Sequence, residues 1–260
     1  MVKHLLIPDW PDLPGNIGAL STTRQGGVSM MPYDDGSGIG RGGMNLGVHV
    51  GDRSEAVQHN RALLRSSLPA EPTWLSQVHG TRVVDAAVAS GAPEADASFT
   101  TVREVVCAVQ SADCLPVLLC DSSGKMVGAA HAGWRGLVAG VLDNTVANMR
   151  DAGAGEMLAW LGPAIGPMHF EVGEDVRQAF VERFVDQGID PDQARAAFRP
   201  VPGTTKYLAD IYLLARSVLH RLGVTRISGG DLSTVSDAHR FYSYRRDRVT
   251  GRMASLIWIK

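Results

Sequence analysis

Three side chains from separate stretches have the chemistry of a metal site: His79 in SQVHG, Cys114 in ADCLP and His131 in HAGWRG. An imidazole–thiolate–imidazole set is borderline soft, which suits Zn²⁺ or copper and not Mg²⁺ or Ca²⁺. Three protein ligands leave a tetrahedral ion one open position, the mark of a catalytic site and not a structural one. Taken singly, each residue has a plainer reading as a packed thiol or a hydrogen-bonded core histidine. Taken together, each at a strand end beside a glycine or a turn, they favour a metal. Cys114 and His131 also have the composition of a nucleophile and its base.

The elements that must position them follow from local pattern. Leu115 to Cys120 and Met126 to Ala130 are short apolar runs separated by the turn formers Asp121-Ser122-Ser123-Gly124, which predicts a buried β-hairpin. If those four residues are the loop, with Gly124 in the left-handed conformation, Cys120 faces Lys125 and Cys114 lies opposite His131. Directly opposed Cβ atoms would then be about 5 Å apart. A loop shorter by one residue sets Cys114 opposite Ala132. Thr73 to Gly80 reads as a strand ending in a turn, from which His79 can point past the strand end. Asp113 alternates away from Cys114 along an extended chain, so it is expected either to orient a ligand histidine or to serve a cap or turn. Pro116 suggests an edge or a bend. Beyond His131 a helix is expected over Trp134 to Arg150. Its N-terminus, with Arg135, would favour an anion beside the metal.

These motifs closely resemble those of the YfiH-like laccase-domain family, also called the multicopper polyphenol oxidase or purine nucleoside phosphorylase family. The resemblance runs along nearly the whole chain and includes TTRQGGVS (22–29), NLG (45–47), GPAIG (162–166), FEVG (170–173), FYSYRRD (241–247) and TGRMA (250–254). It implies that His79, Cys114 and His131 ligate zinc. It also implies a four-layer α/β/β/α sandwich, which sharpens the α+β class suggested by numerous strands and helices without regular βα alternation. The family often has Cys-Thr shortly before the FxSYRR segment. Here the pair is Ser233-Thr234, so any redox role for that cysteine is absent.

Bulk properties bound the rest. The chain of 260 residues shows no low-complexity linker or internal repeat and is expected to form one domain, 1–260. A composition 45% hydrophobic and 20% charged, with net charge −2, gives no electrostatic reason to expect nucleic-acid or membrane binding. No apolar run approaches the ~20 residues of a membrane span, and the N-terminal run is too short for a signal peptide. An odd set of three cysteines points to a reducing cytoplasm and not to a disulfide framework. Residues 25–47 form a glycine-rich stretch expected to be a long irregular loop of the lid or binding type. Ser54 to Leu68 has helical period, and further helices are expected at about 173–186, 191–197 and 205–222. Oligomeric state is not legible.

Four arginines are candidates for substrate or phosphate: Arg24 at the loop's start, Arg61, Arg135 and Arg245. Arg61 has a competing role as a brace for the loop. Arg245 and Arg246 beside Tyr242 and Tyr244 could wall a pocket for a base and a phosphate. The resemblance implies a metal-dependent purine nucleoside phosphorylase acting on adenosine, inosine and methylthioadenosine, with adenosine deamination by a zinc-activated water at C6. Copper-dependent polyphenol oxidation is an alternative that one His/Cys/His set supports thinly. A cysteine-type amidase or hydrolase editing cell-wall precursors, with Cys114 as nucleophile and His131 as base, is another. The non-enzymatic alternative is a binding protein with structural zinc, which would need a fourth protein ligand. Neither a P-loop nor a dinucleotide-binding fingerprint is present, which disfavours nucleotide hydrolysis and nicotinamide chemistry.

Overall fold

Continuous apolar runs of five to seven residues are buried along their whole length in a computed structural model that describes residues 4–260. They pair into two principal sheets. The first has the order β1 (Leu5–Leu6), β2 (Ile17–Thr22), β15 (Met253–Ile259), β7 (Val106–Ser111) and β4 (Pro72–Thr73). In the second the order is β14 (Arg226–Gly229), β10 (Met157–Leu161), β8 (Leu115–Asp121), β9 (Val127–Ala132), β6 (Ala97–Thr100) and β5 (Val83–Asp85). A small third sheet joins β11 (Glu171–Val172), β13 (Tyr207–Ala209) and β12 (Phe198–Pro200), and β3 (Gln25–Ser29) is bridged to Gly43.

The two-residue period of the strands sorts their side chains into separate cores. Along β8, Leu118 and Cys120 join Ile17, Val109 and Ile257 of the first sheet in one apolar cluster. Leu115, Val117 and Leu119 point the other way. They meet α3 (Val141–Asp151), α4 (Glu174–Asp186) and α6 (Ile211–Arg221) through Leu142, Phe180 and Leu214. On the outer face of the first sheet, Leu20, Ala108 and Leu256 pack with Leu64 of α1 (Ser54–Arg65). Helices thus pack on the outer face of each principal sheet, and an apolar cluster lies between the two sheets. The class is α+β with largely antiparallel sheets.

Several local expectations change. The helix expected over Trp134 to Arg150 is divided into α2 (Trp134–Ala139) and α3, because Gly140 adopts φ +105° and both ends the first and starts the second. The segment 205–222 gives a strand before its helix, since the Asp210 side chain accepts from the Leu213 N–H and fixes the helix start there. Of the stretch from Thr73 to Gly80, only Thr73 lies in a strand, at the end of β4, and Ser76 makes an isolated bridge to Glu94. The short helices α5 (Pro191–Ala196) and α7 (Tyr244–Asp247) complete the elements. Pro116 lies in an interior strand and not at an edge; β8 meets β10 only from Val117 onward, so its missing N–H interrupts no ladder with that neighbour.

The stretch 25–47, expected to be irregular throughout, opens with strand β3, which is bridged to Gly43, and the rest is pinned. Asn60 of α1 donates to Ser29 and to the carbonyls of Gly43 and Asn45, and accepts from the Val28 N–H.

Candidate metal centre

The hairpin that carries two of the three ligands pairs in neither expected register. Leu115 is opposite Ala132, Pro116 opposite His131 and Cys120 opposite Val127, which places Cys114 across from Gly133. The cause lies in Asp121. Its carboxylate accepts from the N–H groups of Lys125 and Met126, at 2.7 and 2.9 Å, so Asp121 stays in the ladder and the loop moves one residue along. Gly124 takes the left-handed conformation (φ +70°) as its position demands. Relative to the four-residue expectation the pairing shifts by two, an even number, and every side chain keeps its face.

His79, Cys114 and His131 converge, with their ligand atoms all within 4.8 Å of one another. The Cys114 Sγ lies 3.6 Å from His79 Nε2. Two ligands held tetrahedrally at ordinary Zn–S and Zn–N lengths would be about 3.5 Å apart, so this pair has the spacing that a shared ion imposes. Gly133 keeps the space clear: a Cβ there would come within 3.0 Å of both Cys114 Sγ and His79 Cδ2. The donor set is one that zinc or copper takes, and the Cys114–His79 spacing is that of two ligands on one ion.

One buried carboxylate organises the group. Asp96, fully enclosed, accepts from His131 Nδ1 at 2.8 Å, which leaves Nε2 of that ring for the metal. Its two oxygens also accept from the backbone N–H groups of Val78, His79 and Gly80, at 3.1, 2.9 and 2.7 Å. These bonds hold the turn in which His79 adopts φ +61° and projects outward. The role expected of Asp113 is thus filled by Asp96. Asp113 instead accepts from Thr234 Oγ1 and from the Arg245 N–H at the start of α7, both at 2.6 Å, and itself has φ +93°. Unusual backbone angles beside two of the three ligands mark a site that its surroundings over-determine.

Electrostatics prepare the ligands for a cation. Burial alone would raise the Cys114 thiol, but the imidazoles of His131 and His79 overcome it and bring the thiol down to about 6. Burial would lower His131, yet the Cys114 thiolate and the Asp96 carboxylate raise it to about 9. Cys107 and Cys120, enclosed by apolar neighbours, are both pushed up to about 12.

Two lobes open on either side of the ligands, sharing His79, Ala112, Cys114 and Tyr244. One, about 300 Å³, carries the aromatic and apolar side chains Trp134, Ile165, Phe170 and Ile211, rimmed by Arg135, Arg245 and Arg248. The other, about 370 Å³, is lined by more hydrogen-bonding side chains: His49, Gln77, Gln110, Ser111 and Arg252.

The four candidate arginines separate. Arg24 is buried and donates to the Asp34 carboxylate and to the carbonyls of Asp34 and Ala238, with its guanidinium over the Tyr242 ring. Arg61 donates through Nε and Nη2 to the Leu46 carbonyl and stacks on Trp74, bracing the loop. Neither lines a lobe. Arg135, stacked on Trp134, and Arg245, over Phe170, both do. Tyr242 is fully buried and Arg246 is held by Asp247 and by backbone carbonyls, so only Tyr244 and Arg245 of that segment face the cleft. Arg248 carries no sequence signal, and Arg252, although it lies in the TGRMA motif, has nothing local to show that it returns to the ligands.

The chain is thus a mixed α/β fold that gathers two imidazoles and a thiolate, a group able to hold a metal ion, at the waist of a two-lobed cleft. Residues 18–260 match the family model described as multi-copper polyphenol oxidoreductase laccase, and the chain belongs to that family. It is 49% identical over 255 residues to a purine nucleoside phosphorylase of Pseudomonas aeruginosa, covering 98% of each chain. To the purine nucleoside phosphorylase YfiH of Escherichia coli K12 it is 49% identical over 264 residues, 99% of this chain and all of that one. A crystal structure of a Neisseria meningitidis protein superposes with a TM-score of 0.88 at 48% identity, over 99% of this chain and 100% of that one.

Proposed function

We propose that the chain is a zinc-dependent purine nucleoside phosphorylase acting on adenosine, inosine and methylthioadenosine, and that it deaminates adenosine at the same site. The observation that carries this reading is the cleft itself: a lobe with aromatic and apolar side chains and an arginine rim meets a second lobe, lined by Gln77, Gln110, Ser111 and Arg252, at the His79, Cys114 and His131 group. The activity named for relatives aligned over nearly the whole chain supports it. Three unpaired cysteines accord with a cytoplasmic setting.

In phosphorolysis a phosphate oxygen forms a bond to C1′ of the ribose. The C1′–N9 bond breaks with its electron pair going to the purine, which is protonated, and the products are free base and ribose 1-phosphate. Tyr244, exposed at the junction of the lobes, offers stacking for the base beside Trp134 and Phe170, and the guanidinium groups of the cleft offset the charge of the anion. Deamination replaces the C6 amino group by a water oxygen and releases ammonia. His79, Cys114 and His131 are the residues that would hold a zinc ion, which when bound would supply Lewis acidity to these reactions. Asp96 keeps the proton of His131 on Nδ1 and so keeps the ring turned for ligation.

The test is incubation of metal-quantified protein with adenosine, with and without phosphate. Adenine is expected only with phosphate and inosine in both, and Cys114→Ala is expected to lose both products. Wild-type turnover by that variant would overturn the reading. A second reading has one observation in its favour: Cys114, His131 and Asp96 also stand in the order nucleophile, base, orienting carboxylate. Hydrolysis of an amide that survives chelation would replace the metal-dependent reading with that one. Copper in stoichiometric amount together with phenol oxidation would replace it with the oxidase.

A further inference from the structure

We propose that Arg252, in the lobe with Gln77 and Gln110, is the group that holds inorganic phosphate, and that Arg135 and Arg245 serve the lobe that takes the nucleoside. This assignment rests on the phosphorylase reading and goes beyond it by fixing which side of the cleft each substrate occupies.

The arginines differ in how their donors are spent. Arg245 gives Nη1 to the carbonyls of His169 and Glu171 and lies over Phe170, on the aromatic side. Arg135 and Arg248 are exposed on that same lobe. Arg252 uses only Nη1, on the carbonyls of Thr250 and Gly251. Among the described residues it belongs to no ion pair, and its Nε and Nη2 have no protein acceptor. That edge of a guanidinium is the one that grips an oxyanion with two parallel hydrogen bonds. Burial pushes the pKa of Arg252 down, and the nearby Cys114 and Asp113 only partly offset this, so the cation is left short of negative charge. An anion in the lobe supplies it.

The surrounding chain is built around this side chain. The Arg252 N–H donates to Asn45 Oδ1 at 2.8 Å, and its carbonyl accepts from the Leu46 N–H at 3.1 Å. Its stem lies on Gly47, where a Cβ would come within 2.8 Å of Arg252 Cγ. Asn45 is itself tied to Asp52 at 3.0 Å. His49 lines the same lobe, and burial together with the charges of Arg252 and Arg61 holds its pKa below the usual value, leaving one ring N–H to donate. The NLG and TGR motifs, some two hundred residues apart, therefore meet to present one guanidinium to the ligand group. With phosphate there, its oxygen approaches C1′ from the Arg252 side while the purine leaves into the lobe with Trp134 and Phe170.

The proposal is tested on metal-loaded protein with Arg252→Gln, Arg252→Lys and Arg135→Ala. Line broadening of the ³¹P signal of inorganic phosphate is expected with the wild type and Arg135→Ala and is expected to vanish with Arg252→Gln. In adenosine phosphorolysis, Arg252→Gln is expected to raise the KM for phosphate by about tenfold or more, with a smaller change in the KM for adenosine and partial recovery in Arg252→Lys. Unchanged broadening and an unchanged phosphate KM in Arg252→Gln, or their transfer to Arg135→Ala, would overturn the assignment. Should Arg252→Gln not fold, Gly47→Ala displaces the same side chain without removing its charge and is read the same way. If wild-type protein makes no adenine, the phosphorylase reading fails, and the broadening still decides whether Arg252 holds phosphate.

Discussion

At the scale of single residues, the three cysteines are chemically distinct although all are free. The neighbouring imidazoles make Cys114 a thiolate above pH about 6, whereas Cys107 and Cys120 stay protonated to about 12. Iodoacetamide should therefore label metal-free protein at Cys114 alone, with a rate that rises through pH 6, and zinc should protect it. Peptide mass spectrometry reads this directly; a midpoint at the ordinary thiol value of about 8.5 would contradict the described ion pair. Asp96 sets the second residue-level expectation. Burial would raise its pKa, but the hydrogen bond from His131 and those from Gly80 and Val78 hold it below the usual carboxylate range. A group depressed in the folded state contributes stability above its unfolded pKa of about 4 and loses it as pH falls through the folded value. Its contribution is thus complete at neutral pH. Asp96→Asn keeps the size but removes the charge, and should weaken zinc binding about 10–100-fold in a chelator competition. Affinity equal to wild type would show that the carboxylate does not orient the ligand.

At the scale of elements, the joint between β9 and α2 sets how closely the ligands approach. Gly133 has φ −58°, which any residue can adopt, so its need is for space and not for backbone freedom. Gly133→Ala should therefore fold normally but lose zinc, because the new methyl would lie 3.0 Å from Cys114 Sγ and His79 Cδ2. Metal content beside an unchanged circular dichroism spectrum is the measurement, and full zinc occupancy would refute it. Elements are also where reading from sequence reaches its limit. The hairpin, its buried faces and α1 were legible because apolar period and turn formers are local signals. Its register was not, because Asp121 caps its own turn from within the ladder, a side-chain choice that residue type alone leaves open. The three ligand candidates were legible from residue chemistry and resemblance. Asp96 lies in the ADA motif (95–97) that shares in the resemblance, but its role is not legible there, since its partners lie on the turn at Val78 to Gly80 and on β9, contacts that exist only in three dimensions. Arg24 misled for the converse reason: an arginine at a loop start looks available until Asp34 is seen to face it.

At the scale of the whole molecule, the ligand group sits where the chain passes from one sheet to the other. β7 belongs to the first sheet, and through Ala112 and Asp113 it runs straight into Cys114 and β8 of the second. His79 follows β4 of the first sheet, while His131 lies in β9 of the second. An ion shared by His79, Cys114 and His131 would cross-link the two sheets, and folding stability should rise with its binding. At a free concentration about a hundred times Kd the linkage amounts to about 2.7 kcal/mol, which for a chain of this size corresponds to about 5–10 °C in Tm. Calorimetry of zinc-loaded protein before and after chelation should show a fall of that order. Cys114→Ser should start lower than loaded wild type and should not respond to the chelator. Identical melting temperatures with and without stoichiometric zinc would mean that the two imidazoles and the thiolate do not share an ion, and the phosphorylase chemistry argued from their convergence would lose its metal.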